Sequence, residues 1–215
     1  ESFLGRIEDP ESAKNSDLNI INDPAFRTLM VTRLIRSSLK KNESIELITL
    51  LENDNNSIIK IYNDFKGRIA KQDEDSFLVS FESVSNAVSC ALKIQSVFNG
   101  LANEIDNTSI NLKIGLSAGV PVTEKKSFFE DTIKLAERMC YIANAGIVIS
   151  PEVNDLYKSE NLNNFIDGGL VFVLTPLDEK FLNLFMNFIE NSWRNSDLKV
   201  DDFNQPLGYS KSQLY

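Results

Sequence analysis

The chain has 215 residues, 42% of them hydrophobic, which is enough for one domain with appendages or two small domains and a real core. Its formal net charge of -9 repels phosphate backbones and argues against strong DNA binding by this piece alone. The absence of histidine excludes Ser-His-Asp and Cys-His catalysis and any His-ligated metal site within the chain.

Residues 1–25 mix charge with Pro10 and Pro24 and read as a linker. The chain begins at Glu1 rather than Met, which points to sequence upstream. Phe26 to Ile35 (FRTLMVTRLI) is rich in β-formers and predicts a strand. Glu43 to Phe65 carries a helical apolar pattern interrupted at NDNNS. After Gly67, Arg68 to Gln72 and Phe77 to Phe81 predict two strands joined tightly at Asp73-Glu74-Asp75. Ser83 to Leu101 is the clearest helix, with Val84, Ala87, Val88, Ala91, Leu92, Ile94 and Phe98 on one face. Ser109 to Val122 alternates as a long strand. Ser127 and Glu130 have the spacing of a capping box for a helix that runs to about Asn144, with Gly146 as its breaker. Ile147 to Ser150 predicts a short strand, and Pro151 opens a short helix. Gly168-Gly169 and LVFVL predict a turn and a last strand, and Phe181 to Trp193 is helical.

From residue 26 the first six elements run strand, helix, strand, strand, helix, strand, which is the α+β, ferredoxin-like βαββαβ order. The expected sheet is antiparallel, with helices on one face and the other face free to meet a partner. Cys90 and Cys140 sit on predicted helices and read as core residues in a reducing cytosol, as does Met139. No apolar run approaches the length of a bilayer span and no signal peptide is visible, so a cytoplasmic protein is expected, without a membrane partner.

The segment KGRIAKQDEDSFLVSFESVSNAVSCALKIQ, Lys66 to Gln95, resembles class III adenylate and guanylate cyclases. LKIGLSAGVPV, Leu112 to Val122, is similar to that family's strand with its Gly pair. FFEDTIKLAERMCYIANAGIVIS, Phe128 to Ser150, is similar to the segment ending in a G-x-I-x-V-S strand. The ordered set covers roughly 130 residues and places a cyclase-like domain over 26–177. The resemblance implies cyclisation of a nucleoside triphosphate on two magnesium ions held by two aspartates. The turn aspartate matches Asp75, with Glu74 in place of the usual glycine, while the first-strand position falls near Thr32 or Arg33. Neither ligates a cation as a carboxylate does, so no catalytic residue, metal site or cofactor is expected, and the domain is expected to have lost cyclase activity. The position of a purine-contacting lysine falls on Lys71, its acidic partner near Ser127, and the transition-state pair on Lys134 and Arg138. Lys71, Asp75, Lys134 and Arg138 thus define a candidate cleft for an anionic small molecule. Each also has a plainer reading: Asp75 as a turn residue, Lys71 and Lys134 as surface lysines, Arg138 paired with Glu74, Glu137 or a second chain.

The tail, Phe181 to Tyr215, resembles the start of an AraC-type helix-turn-helix domain, expected over 178–215. Leu207-Gly208-Tyr209-Ser210-Lys211-Ser212-Gln213-Leu214-Tyr215 matches the turn that leads into its recognition helix. Ser210, Lys211, Gln213 and Tyr215 are the candidate DNA-contacting residues of an incomplete motif. The alternative is a helical hairpin packed on the domain. The combination is similar to Bacteroidota-type regulators in which a nickel-binding domain precedes the cyclase-like one. Expected, then, is a fragment of a transcription regulator. Its cyclase-like module would pair as a homodimer, sense a ligand, or both, with DNA bound only by the full-length protein. The competing reading is a divergent cyclase that holds one metal on Asp73, Glu74 or Asp75.

Overall fold

Strand β1 (Arg27–Arg36) organises the domain, because its pleat sends alternate side chains into two different cores. Met30 joins one core, while Leu29 and Val31 join the other. In the computed structural model, residues 26–36, 58–104, 110–120, 129–144, 146–161 and 169–208 are described. The linker 1–25, the first part of the predicted helix at 43–57, Ser127, and Ser210, Lys211, Gln213 and Tyr215 lie outside them.

Helical residues 58–64 (α1) follow β1, then strands β2 (Arg68–Gln72) and β3 (Ser76–Phe81), helix α2 (Val84–Glu104) and strand β4 (Ile110–Gly119). Helix α3 (Glu130–Ile142), strand β5 (Ile147–Ile149), helix α4 (Pro151–Glu160), strand β6 (Val171–Val173) and helix α5 (Pro176–Ser192) complete the domain. A 3-10 turn at Val200–Phe203 leads into a last short helix, α6 (Asn204–Leu207). The six strands lie in the order β2-β3-β1-β4-β5-β6. β1 pairs antiparallel with β3 and β4, whereas β4-β5 and β5-β6 are parallel. The fold is α+β with a mixed sheet, not the purely antiparallel one expected.

The larger core lies under α1, α2 and α4, where Tyr62, Phe81, Ile94, Ile114 and Ile149 are essentially inaccessible. The opposite face is also covered, which corrects the expectation that it stands free. There α3 packs Leu135, Ala136, Met139 and Cys140 on Leu29, Val31 and Leu78, and α5 adds Leu182. The close seat of α3 comes from β4. Gly115, Ser117 and Gly119 alternate onto one face, and a Cβ at Gly115 would strike the carbonyl oxygen of Ala136. Ser117 instead donates its hydroxyl to the carbonyl of Thr132.

Two helix starts differ from the sequence reading. Helix α3 begins at Glu130 after Phe129, which adopts φ 60° and gives no side-chain cap. The predicted Ser127–Glu130 capping box is therefore not what starts it, and Glu130 pairs with Lys134 at 2.7 Å instead. Helix α5 begins at Pro176, five residues earlier than predicted, because Thr175 and Asp178 form a reciprocal capping box and Pro176 suits the first turn. The expected domain boundary between 177 and 178 falls inside the first turn of this helix.

Candidate functional site

The pleat of β1 sends Thr32 and Arg33 to opposite faces of the sheet. Thr32 is 3% exposed and its hydroxyl lies 2.8 Å from that of Tyr62, on the face covered by α1. Arg33 points the other way, into a cavity of about 340 Å³ between the β2–β3 hairpin and α3. The walls are Val31 and Arg33 from β1, Lys71 from β2, Phe77 and Leu78 from β3, and Glu130, Lys134 and Glu137 from α3, with Asp73 at the turn.

Arg33 makes two contacts with the exposed side chain of Tyr141. Its Nη1 donates to the Tyr141 hydroxyl at 2.8 Å, and its guanidinium lies 5.2 Å from the ring centroid. Burial alone would lower its pKa, but the Tyr141 hydroxyl and Asp75 outweigh that and raise it, so the charge is fixed. Lys71 pairs with Asp73 at 3.4 Å, both about half exposed. Lys134 pairs with Glu130, whose hydrogen bond raises the lysine pKa.

The four ligand-site residues read from sequence separate into three places. Lys71 and Lys134 face each other across the cavity. Asp75 sits in the hairpin turn, where its carbonyl accepts from Leu34 N at 2.8 Å, and lines a separate hollow with Leu34, Ile35, Asp73 and Glu74. Arg138 is 5% exposed and turns to α5. It donates to Asn183 Oδ1 at 2.8 Å and Asn187 Oδ1 at 2.6 Å, and meets Glu190 at 3.1 Å. The pairings with Glu74 or Glu137 considered from sequence are replaced by this contact. Arg33, one of the two residues named from sequence near the first-strand position but not counted among the ligand-site residues, is the one that lines the cavity.

The residues present do not fit a pair of divalent cations. The β1 side chains that reach the cavity are Val31 and the guanidinium of Arg33; neither offers a metal an oxygen, and the guanidinium repels it. Asp73 is engaged by Lys71, and among the described residues no cluster of three acidic or thiol groups could hold an ion.

No protein-family model matches the chain. It is 28% identical over 106 residues to a putative adenylate cyclase 3 of Rhizobium meliloti; the match covers 48% of this chain and 18% of that protein. An adenylate/guanylate cyclase/hydrolase from Silicibacter pomeroyi superposes with a TM-score of 0.52 at 20% identity, over 64% of this chain and 83% of that one. An adenylate cyclase of Trypanosoma brucei, solved in its monomeric state, gives 0.52 at 15% identity, over 65% and 79%. The chain therefore contains a domain with an adenylate/guanylate cyclase-like fold, and it spans under a fifth of the length of the Rhizobium protein. These names overturn the expectation of lost activity. Those proteins are named as cyclases, and a replaced carboxylate on β1 does not demonstrate loss of turnover. Among the described residues no helix is long and apolar enough to cross a membrane.

Proposed function

We propose that the chain belongs to a bacterial regulator in which the cyclase-like domain binds an anionic nucleotide between the β2–β3 hairpin and α3. The observation that supports this is the convergence of Arg33, Lys71 and Lys134, from three different elements, on one cavity. The order β2-β3-β1-β4 is read as a ferredoxin-like centre extended by β5 and β6. Homodimer formation through this domain and continuation of the tail into an AraC-type helix-turn-helix are parts of the same reading. The tail rests on the likeness of residues 207–215. A thermal-shift and calorimetric screen of adenine and guanine nucleotides tests it. A ligand that binds the native cavity raises the melting temperature, and Lys71→Met with Lys134→Met weakens that ligand. No response to any nucleotide at millimolar concentration removes the proposal.

The relatives' names favour a second reading, cyclisation of a nucleoside triphosphate. Incubation with ATP or GTP and magnesium or manganese, read by chromatography for cyclic product, decides it. Product above a blank, lost on Lys71→Met, supports the enzyme; its absence leaves the binding reading alone.

A further inference from the structure

We propose that the cavity takes a phosphate ester of low charge, a nucleotide monoester or cyclic diester, without a divalent cation, and that Arg33 supplies the charge a metal would otherwise bring. This rests on the reading of the cavity as a nucleotide site and specifies what kind of nucleotide it accepts.

The argument is one of charge balance. The cavity is lined by three cations, Arg33, Lys71 and Lys134, and three carboxylates, Asp73, Glu130 and Glu137. Lys71 is matched by Asp73 and Lys134 by Glu130. Among the described residues Arg33 forms no direct ion pair: its hydrogen-bond partner is the neutral hydroxyl of Tyr141, and Asp75 acts on it only at longer range. Glu137 supplies a further negative charge on the α3 wall. A triphosphate without metal would bring several negative charges into a space whose own charges already cancel. A metal to neutralise them finds a guanidinium where it needs oxygen. A single phosphate group needs one fixed cation and a few donors, and a planar guanidinium meets two phosphate oxygens at once. Tyr141, itself an exposed side chain, already engages that guanidinium, which reduces the ordering left to be done on binding. The lysines then contribute by exchanging their surface carboxylates for ligand oxygens.

The full chain is titrated by calorimetry with AMP, GMP, cyclic AMP, cyclic GMP, ATP and GTP, each in EDTA and in magnesium. At least one monoester or cyclic nucleotide is expected to bind equally well in EDTA and magnesium, and about tenfold or more tighter than either triphosphate. Arg33→Met should weaken it by about tenfold or more, while Arg33→Lys retains part of the affinity. Circular dichroism and melting of both variants confirm that the fold is kept. Binding only of triphosphates, and only with magnesium, overturns the inference and leaves the nucleotide-site reading standing. So does a ligand that Arg33→Met, still folded, leaves unaffected. If no nucleotide binds, both fall together.

Discussion

Replacing Arg138 by methionine should loosen α5 from the domain, and the structure allows the size of the effect to be worked out. The guanidinium reaches Asn183, Asn187 and Glu190, three residues on one stripe of α5. Hydrogen bonds to a charged group are worth roughly 1.5–3 kcal/mol each. The Arg138–Glu190 ion pair adds little, because the Glu190 side chain is 52% exposed and water screens it. Methionine keeps an unbranched stem of similar length. It also removes Nε, a donor now buried without a partner. The net loss should be about 2–3 kcal/mol. In a chain of this size that lowers the melting temperature by about 5–10 °C. The assay is thermal denaturation followed by circular dichroism, with amide exchange resolved by peptide. Peptides of 176–192 should lose protection before those of β1 and β4, since only Leu182 of α5 is fully buried. Glu190→Gln is the control and should shift the melting temperature by less than about 3 °C. An Arg138→Met protein that melts within about 1 °C of wild type, with α5 equally protected, would refute the reasoning.

Further expectations follow from the two cores. Tyr62→Phe leaves Thr32 Oγ1 buried without its 2.8 Å partner and should cost about 1–2 kcal/mol; Thr32→Val with Tyr62→Phe together should cost less than the sum of the singles in a double-mutant cycle. Gly115→Ala drives a methyl against the Ala136 carbonyl, which cannot rotate away, so a loss of about 3 kcal/mol or more is expected in urea titration. Burial pushes the thiols of Cys90 and Cys140 up to about 12, so neither should react with an alkylating reagent at pH 8 until the protein is unfolded. Burial, then Glu152, raises the carboxyl of Glu179, so its contribution is fully present below the ordinary glutamate range and is lost as pH rises through the higher folded value. Glu179→Gln should therefore raise the melting temperature at pH 7, with the gain closing as pH falls to about 4.

What was legible in the sequence was periodicity. The face of α2, the tight β2–β3 hairpin and the burial of both cysteines follow from residue spacing alone. What was not legible depends on one-residue differences. Sequence narrowed the first-strand position to Thr32 or Arg33, but a strand sends neighbours to opposite faces, so the choice reverses the meaning of the site. The missing signal was Tyr62, a buried hydroxyl that needs a partner and finds it in Thr32. Arg138 was hidden for a different reason. Its partners lie 45 to 52 residues away, on a helix whose start was misplaced because Thr175 and Asp178 were not read as a capping box. The covered second face has another cause: periodicity finds α3 but not the side of the sheet on which it packs, and the small residues Gly115, Ser117 and Gly119 seat it opposite α2.

Those two corrections meet on α3. Lys134 and Arg138 stand one turn apart on this helix: Lys134 lines the cavity, whereas Arg138 holds α5. Glu137 lies between them on the cavity side. The far side of α5 stacks Phe185 on Phe203, in the 3-10 turn that leads into α6, and packs Phe188 against the same ring at a tilt. A ligand that draws Lys134 away from Glu130 therefore acts on a helix already tied to the tail through Arg138. Helix α5 has one fully buried side chain, Leu182, so its attachment to α3 rests largely on the polar stripe that Arg138 binds. Exchange measured on 176–192 with and without a bound nucleotide separates the possibilities. Altered protection in wild type that vanishes in Arg138→Met means that the arginine carries the coupling. Unaltered protection means that the cavity and the tail are independent.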